Sequence, residues 1–205
     1  VVGVGNALVD MIAMVDDAFL ASNDMVKGSM ALIETDRAVH LSTAVGASTR
    51  TSGGSGANTI AGIASLGGDV AFIGKVASDE FGDVFAADMK TVGVDFRSGA
   101  PDSSVPTGRC IIAVTPDAQR TMNTFLGIST QLSFSDLDSD IISAGAVLYL
   151  EGYLFDRDEA KDAFRKAAAV AHAYGRVVSL TLSDSFCVDR HRADFLSLVR
   201  NDIDV

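Results

Sequence analysis

Ser52-Gly53-Gly54-Ser55-Gly56-Ala57-Asn58 joins a polar, β-branched approach, Ser48-Thr49-Arg50-Thr51, to an apolar run at Ile60, Ile63, Ala64 and Leu66. That spacing predicts a helix entered through glycines. Paired glycines let the backbone approach a ligand with no Cβ in the way, and the free N–H groups of the first helical turn form a corner for an anion or a hydroxyl. Asn58 adds an amide that both donates and accepts. Taken alone, the stretch fits a loop that merely caps a helix equally well.

On either side of this corner the chain alternates. Val1-Val2-Gly3-Val4-Gly5 is a short apolar strand, and Val70-Ala71-Phe72-Ile73-Gly74, Ala146-Val147-Leu148-Tyr149-Leu150 and Val177 to Leu182 are others. Between them lie helical patterns, with Phe81, Val84, Phe85, Met89 and Val92 in one and Ala160, Ala163, Phe164, Ala167, Val170 and Tyr174 in another. Continuous apolar strands separated by helices mean a parallel sheet covered on both faces. Ligands of such sheets sit at the carboxyl ends of the strands, where Gly152, Ser183 and Asp184 fall.

Two pieces break the alternation. Residues 11–52 carry small elements of their own, including a strand after Gly28 and a helix from Thr35 to Val45. Gly108 to Thr115 and Arg120 to Leu126 flank Pro116-Asp117-Ala118-Gln119 and read as a β-hairpin. Together they form a small sheet flap over a core made of 1–10, 53–103 and 127–205, with the lid made of 11–52 and 104–126.

Asp10 stands directly beyond the first strand between Val9 and Met11, where a carboxylate must reach solvent or accept hydrogen bonds from a ligand. Gly3-Val4-Gly5 opens like a dinucleotide fingerprint, but Leu8 stands at the third glycine position and more strand follows, which argues against a nicotinamide-dependent oxidoreductase.

Composition narrows the classes further. Lys and Arg number 16 against 27 Asp and Glu, a net charge of −11, which argues against a nucleic-acid partner. No apolar run approaches the roughly 18 residues of a membrane span, and no leader pattern opens the chain. Cys110 and Cys187 stand far apart, and His40, His172 and His191 have no second ligand at metal spacing. Reduced thiols in a cytoplasmic protein with no metal site are the expectation.

Asn6-Ala7-Leu8-Val9-Asp10, Gly53-Gly54-Ser55-x-x-Asn58, the hairpin from Thr115-Pro116-Asp117 to Arg120-Thr121, and Leu150-Glu151-Gly152-Tyr153 occur in that order. The glycine signature continues through Gly67-Gly68 and Gly74 to Asp79-Glu80-Phe81-Gly82. With these motifs the chain resembles, over its whole length, the ribokinase-like (PfkB) carbohydrate and nucleoside kinases. The resemblance implies a three-layer α/β/α sandwich with a mainly parallel central sheet and a small β lid. It also implies transfer of a phosphoryl group from Mg-ATP to a hydroxymethyl group of a sugar or nucleoside.

Carried over by residue, the resemblance makes Asp10 the acceptor of vicinal sugar hydroxyls. It gives Gly53 and Gly54 backbone contacts, and sets Asn6, Leu8, Asn58 and Glu151 around the same ligand. Apolar Leu8 is similar to the adenosine kinase branch and Glu151 to the ribokinase branch, so nucleoside and free sugar both stay open. Arg120 is the candidate cation for the transferring phosphoryl group when the lid shuts, beside the alternative of a solvated strand arginine. A homodimer through the β lid is a further arrangement that the resemblance allows.

The family's second signature, an Asp-Thr-x-Gly-Ala-Gly-Asp-like stretch that supplies an anion hole and the general-base Asp, does not occur in these residues. The sequence therefore reads as a kinase truncated at its C-terminus, with residues also lost before Val1, inactive by itself but holding the substrate half. A non-catalytic sugar- or nucleoside-binding module is the alternative.

Overall fold

The chain passes from one sheet to another between Val2–Val4 (β1) and Leu8–Met14 (β2). The structure is a computed structural model and describes residues 1–99 and 104–205. Asp17–Ser22 (α1), Met30–Leu32 (β3), Thr35–Ala44 (α2), Thr49–Gly53 (β4) and Ser55–Ser65 (α3) follow. Next come Ala71–Gly74 (β5), Glu80–Thr91 (α4) and Asp95–Ser98 (β6), then the hairpin Gly108–Val114 (β7) and Arg120–Phe125 (β8). Ser139–Ala144 (α5), Val147–Glu151 (β9), Asp158–Ala173 (α6), Val177–Thr181 (β10) and Ser185–Asn201 (α7) complete the order.

The first sheet runs β10-β9-β1-β5-β6 with every pair parallel. Its strands are apolar on both sides because helices cover both faces. On one face Val4, Leu148, Leu150 and Val178 pack with Ala160, Ala163, Phe164, Ala167 and Ala171 of α6 and with Phe195 and Leu198 of α7. Ala57 and Ile60 of α3 and Phe85 and Met89 of α4 close the other face over Phe72. The i, i+3, i+4 spacing visible in the sequence is the stripe each helix buries. Truncating fully buried Phe85 to Ala would cost about 3–5 kcal/mol. The α/β/α layering expected from the sequence is thus present.

The second sheet runs β3-β8-β7-β2-β4, with β2 antiparallel to β4 and parallel to β7, and β7 antiparallel to β8. Period-two alternation divides its faces. Met11, Ile111 and Ala113 pack on Leu20 of α1, Leu41 of α2 and Met25, whereas Asp10, Ile12 and Met14 point the other way. β2 already belongs to this sheet at Leu8, so Leu8 and Asp10 lie in the second sheet and not in the parallel core to which residues 1–10 were assigned. Residues 100–103, in the expected core range 53–103, lie outside the described residues.

Two carboxylates fasten the second sheet to α4. Asp79 accepts from Gly82 N and from Thr107 N, both at 2.9 Å, and so caps the helix and holds the entry to β7. Asp88 accepts from Ser52 N at 2.6 Å and from Thr51 Oγ1 at 2.7 Å on β4. No described helix is long and apolar enough to cross a membrane.

Candidate functional site

The glycine corner requires glycine by close approach. Gly54 sits at φ +95°, and a Cβ there would collide with the Asn6 carbonyl oxygen. A Cβ on Gly53 would fall 2.6 Å from Asp10 Oδ2 and nearer still to the rest of that carboxyl group. The corner backbone is therefore pressed against both the crossing from β1 to β2 and the Asp10 side chain.

Asp10 lies within β2, opposite Thr51 of β4 and Cys110 of β7, and not past a strand end as the sequence had suggested. The apolar run breaks at Gly5-Asn6, and the chain turns there into a new strand instead of ending one. Burial pushes the Asp10 carboxyl up to about 6, and the Arg120 charge pulls the other way. Arg120 is exposed on β8, on the same face as Met122 and Thr124, which line the cavity beside Asp10. Burial also raises the Cys110 thiol, to about 11, so it stays protonated and accepts a hydrogen bond from Thr124 Oγ1 at 3.2 Å.

Glu151 closes the helix end that the glycines open. Its Oε1 accepts from Gly56 N at 2.8 Å and from Ser55 Oγ, and its Oε2 accepts from Asn6 N at 2.6 Å. A carboxylate at a helix N-terminus is favoured by the dipole and by the free first-turn amides. Burial nevertheless raises its pKa, with these bonds acting in the opposite sense. Asn6, 2% exposed, accepts from Ser129 Oγ at 2.9 Å.

A cavity of about 250 Å³ opens above these groups. Asn6, Leu8, Asp10, Gly54, Ser55 and Glu151 form its floor, and Met30, Leu32, Met122, Thr124 and Leu126 form a largely apolar wall. Tyr153, Asp156, Asp184, Phe186 and Arg190 form the third side, where β9 and β10 end. Asp184 caps α7 through Cys187 N at 2.7 Å and accepts from Tyr153 Oη at 3.0 Å. Ser183, held at φ +71°, accepts from Tyr153 N at 3.0 Å. A non-glycine residue in that region is strained, a feature common at ligand-facing turns.

Of the residues expected from the sequence, Asn6, Leu8, Asp10, Gly54 and Glu151 meet in this cavity. Gly53 backs onto Asp10. Asn58 is exposed on α3, outside the cavity lining. The third side was missed apart from Asp184. The usable signal was the i, i+4 spacing of Phe186 and Arg190 just past a strand end.

No group of three or more His, Cys, Asp or Glu side chains suited to a metal occurs among the described residues. The histidines have protein partners instead: Asn23 for His40, Asp204 for His172 and Asp156 for His191.

A model of the pfkB family carbohydrate kinases matches residues 21–203. An adenosine kinase from Sinorhizobium meliloti is 48% identical with a TM-score of 0.88, over 99% of this chain and 62% of that one. A probable sugar kinase from Rhizobium etli CFN 42 is 44% identical with a TM-score of 0.88, over the same shares of 99% and 62%. A probable chloroplastic fructokinase-6 from Arabidopsis thaliana is 32% identical over 129 residues, 62% of this chain and 34% of that protein. The match thus covers 62% of each of the two solved kinases and 34% of the fructokinase.

Proposed function

The chain belongs to the pfkB family of carbohydrate kinases, and from that membership we propose that the protein transfers a phosphoryl group from ATP to the hydroxymethyl group of a nucleoside whose ribose is held by Asp10. The observation that carries this reading is the pairing, in one cavity, of the Asp10 carboxylate with the apolar wall of Leu8, Met30, Leu32, Met122 and Leu126. Vicinal hydroxyls are donors and bind an ionised, partly desolvated carboxylate well. A free sugar would leave the apolar wall against water, whereas a nucleobase would cover it, at about 25 cal/mol per Å² buried. The 48% identity to an adenosine kinase supports the same choice.

In this reading Gly53 and Gly54 give the ribose ring room to approach the backbone. Glu151 is a positioning residue, since its two oxygens are already taken by Ser55, Gly56 and Asn6. Asn58 is given no contact. Arg120 would reach the transferring phosphoryl group as the second sheet, acting as a lid, closes and excludes water. Charge neutralisation and positioning are the main terms in such transfers.

Magnesium would accompany ATP, but the described residues hold no acidic cluster that fits the ion, and no step is assigned to it. No general base is assigned either. Asp194 pairs with Lys161, Asp189 with Arg192, and Asp204 with His172. These acids serve α7 and the edge of the parallel sheet.

A phosphotransfer assay with ATP and adenosine, ribose or fructose, on the longer protein of which these residues are read as the substrate half, tests the reading. Transfer to adenosine that Asp10→Asn weakens is the expected result. Transfer to fructose alone would overturn the nucleoside assignment, and transfer to none would overturn the kinase activity.

A further inference from the structure

The third side of the cavity holds a charged pair stacked on an aromatic ring. Both oxygens of Asp156 accept from Arg190 Nη2, at 2.9 and 3.2 Å. His191 Nε2 meets the same carboxylate at 2.7 Å. The Arg190 guanidinium also lies 4.2 Å from the centroid of the Phe186 ring, one helical turn earlier on α7. Asp156, Phe186 and Arg190 all line the cavity that contains Asp10.

An ion pair this open to water adds little to stability, about 0–1 kcal/mol. Its geometry is what matters here. Stacking on Phe186 and the bonds through Nη2 fix the plane of the guanidinium, and the N–H groups of Nη1 stand beside the Asp156 carboxylate as donors for a ligand acceptor. The pair therefore presents N–H donors beside a carboxylate acceptor. α7 departs from helical geometry at His191 (φ −124°, ψ 25°), which separates the turn carrying Phe186 and Arg190 from the part that buries Phe195 and Leu198. His191 holds Asp156 at this break, and the buried Cys187 on the turn before it anchors the segment that carries Phe186 and Arg190.

We propose that Arg190 and Asp156 together read the edge of the nucleobase and select a purine with an amino group at position 6. This rests on the nucleoside reading above. A 6-aminopurine presents the N7 acceptor beside the N6 amino donor, the complement of a guanidinium N–H beside a carboxylate oxygen. A 6-oxopurine held the same way would turn its O6 acceptor toward the Asp156 carboxylate, which has no proton to donate. A free pentose has no base to carry to this side.

Calorimetric titration of the protein with adenosine, inosine and ribose tests the proposal in the wild type, Arg190→Met and Asp156→Asn. Methionine keeps an apolar stem against Phe186. Adenosine should bind the wild type at least about tenfold more tightly than inosine, and Arg190→Met should weaken adenosine about tenfold while leaving ribose within about twofold. Asp156→Asn should narrow the ratio of adenosine to inosine affinity, which does not depend on the fraction of the variant that is folded. Equal loss of adenosine and ribose in Arg190→Met, or an unchanged ratio in Asp156→Asn, overturns base reading. Wild-type protein that binds ribose as tightly as adenosine overturns it too but leaves sugar phosphorylation standing, and failure to bind any of the three sinks both readings.

Discussion

Gly53 and Asp10 are in contact so close that no side chain fits between them: a Cβ on Gly53 would lie 2.6 Å from Asp10 Oδ2. Gly53→Ala should therefore push the carboxylate off its position. A loss of about 1–3 kcal/mol in stability, typical of overpacking, should accompany weaker adenosine binding. Denaturant titration with calorimetry on the same variant checks both, and unchanged affinity would remove the contact from the site.

Adenosine affinity should depend on pH through Asp10. Burial raises its carboxyl from the ordinary carboxylate range to about 6, with Arg120 opposing. Sugar hydroxyls donate to the ionised form, so affinity should be full above about pH 7 and fall as pH drops through 6. The sign for folding is opposite. The native state holds this proton more tightly than the unfolded chain, so the group favours folding at low pH and that contribution is lost as pH rises from about 4 through 6. Asp10→Asn should abolish both dependences and weaken adenosine roughly tenfold to hundredfold, as loss of hydrogen bonds to a charged group does. Titrations between pH 5 and 8 decide this.

Glu151→Gln should destabilise the fold. One carboxylate now satisfies Ser55, Gly56 and Asn6, and an amide would turn its own donors toward one of these N–H groups. A buried donor left unpaired costs about 1–3 kcal/mol. Thermal unfolding should show the loss with no ligand present, whereas a residue that only touched substrate would leave the melting temperature unchanged.

Asp79→Ala should loosen the second sheet from the core. The Asp79 carboxyl caps α4 and holds Thr107 N. Although burial pushes it up, the bonds from Thr107 and Gly82 with the nearby Arg109 hold it below its ordinary value. Its contribution is therefore present above about pH 4 and lost as pH falls through the lowered pKa. A cost of about 1–2 kcal/mol at pH 7, as for other N-caps, should shrink in acid. Hydrogen exchange should show β7 and β8 less protected while β1 and β9 keep their protection.

Much of this architecture was legible because burial writes periodicity into sequence. The continuous strands, the α6 stripe, the β7–β8 hairpin and the glycine corner all fell where their patterns placed them. The polar strand Asp95–Ser98 did not, because it lies at the edge of the sheet and, among the described residues, pairs only with β5. Asp10 was found but set past a strand, since a local pattern cannot show that Leu8 begins a strand of another sheet. Glu151 was found for its charge, and only the fold shows that three donors of the protein itself consume that charge. Arg190 and Asp156 stand 34 residues apart on separate elements, so no local pattern could pair them.

A crystal structure of the protein with adenosine is the most direct test of the site. The ribose 2′ or 3′ hydroxyl should lie about 2.6–3.2 Å from the Asp10 carboxylate, with the base between the Leu8–Met122 wall and Phe186. Adenosine bound with its sugar turned away from Asp10, or bound outside this cavity, would contradict it.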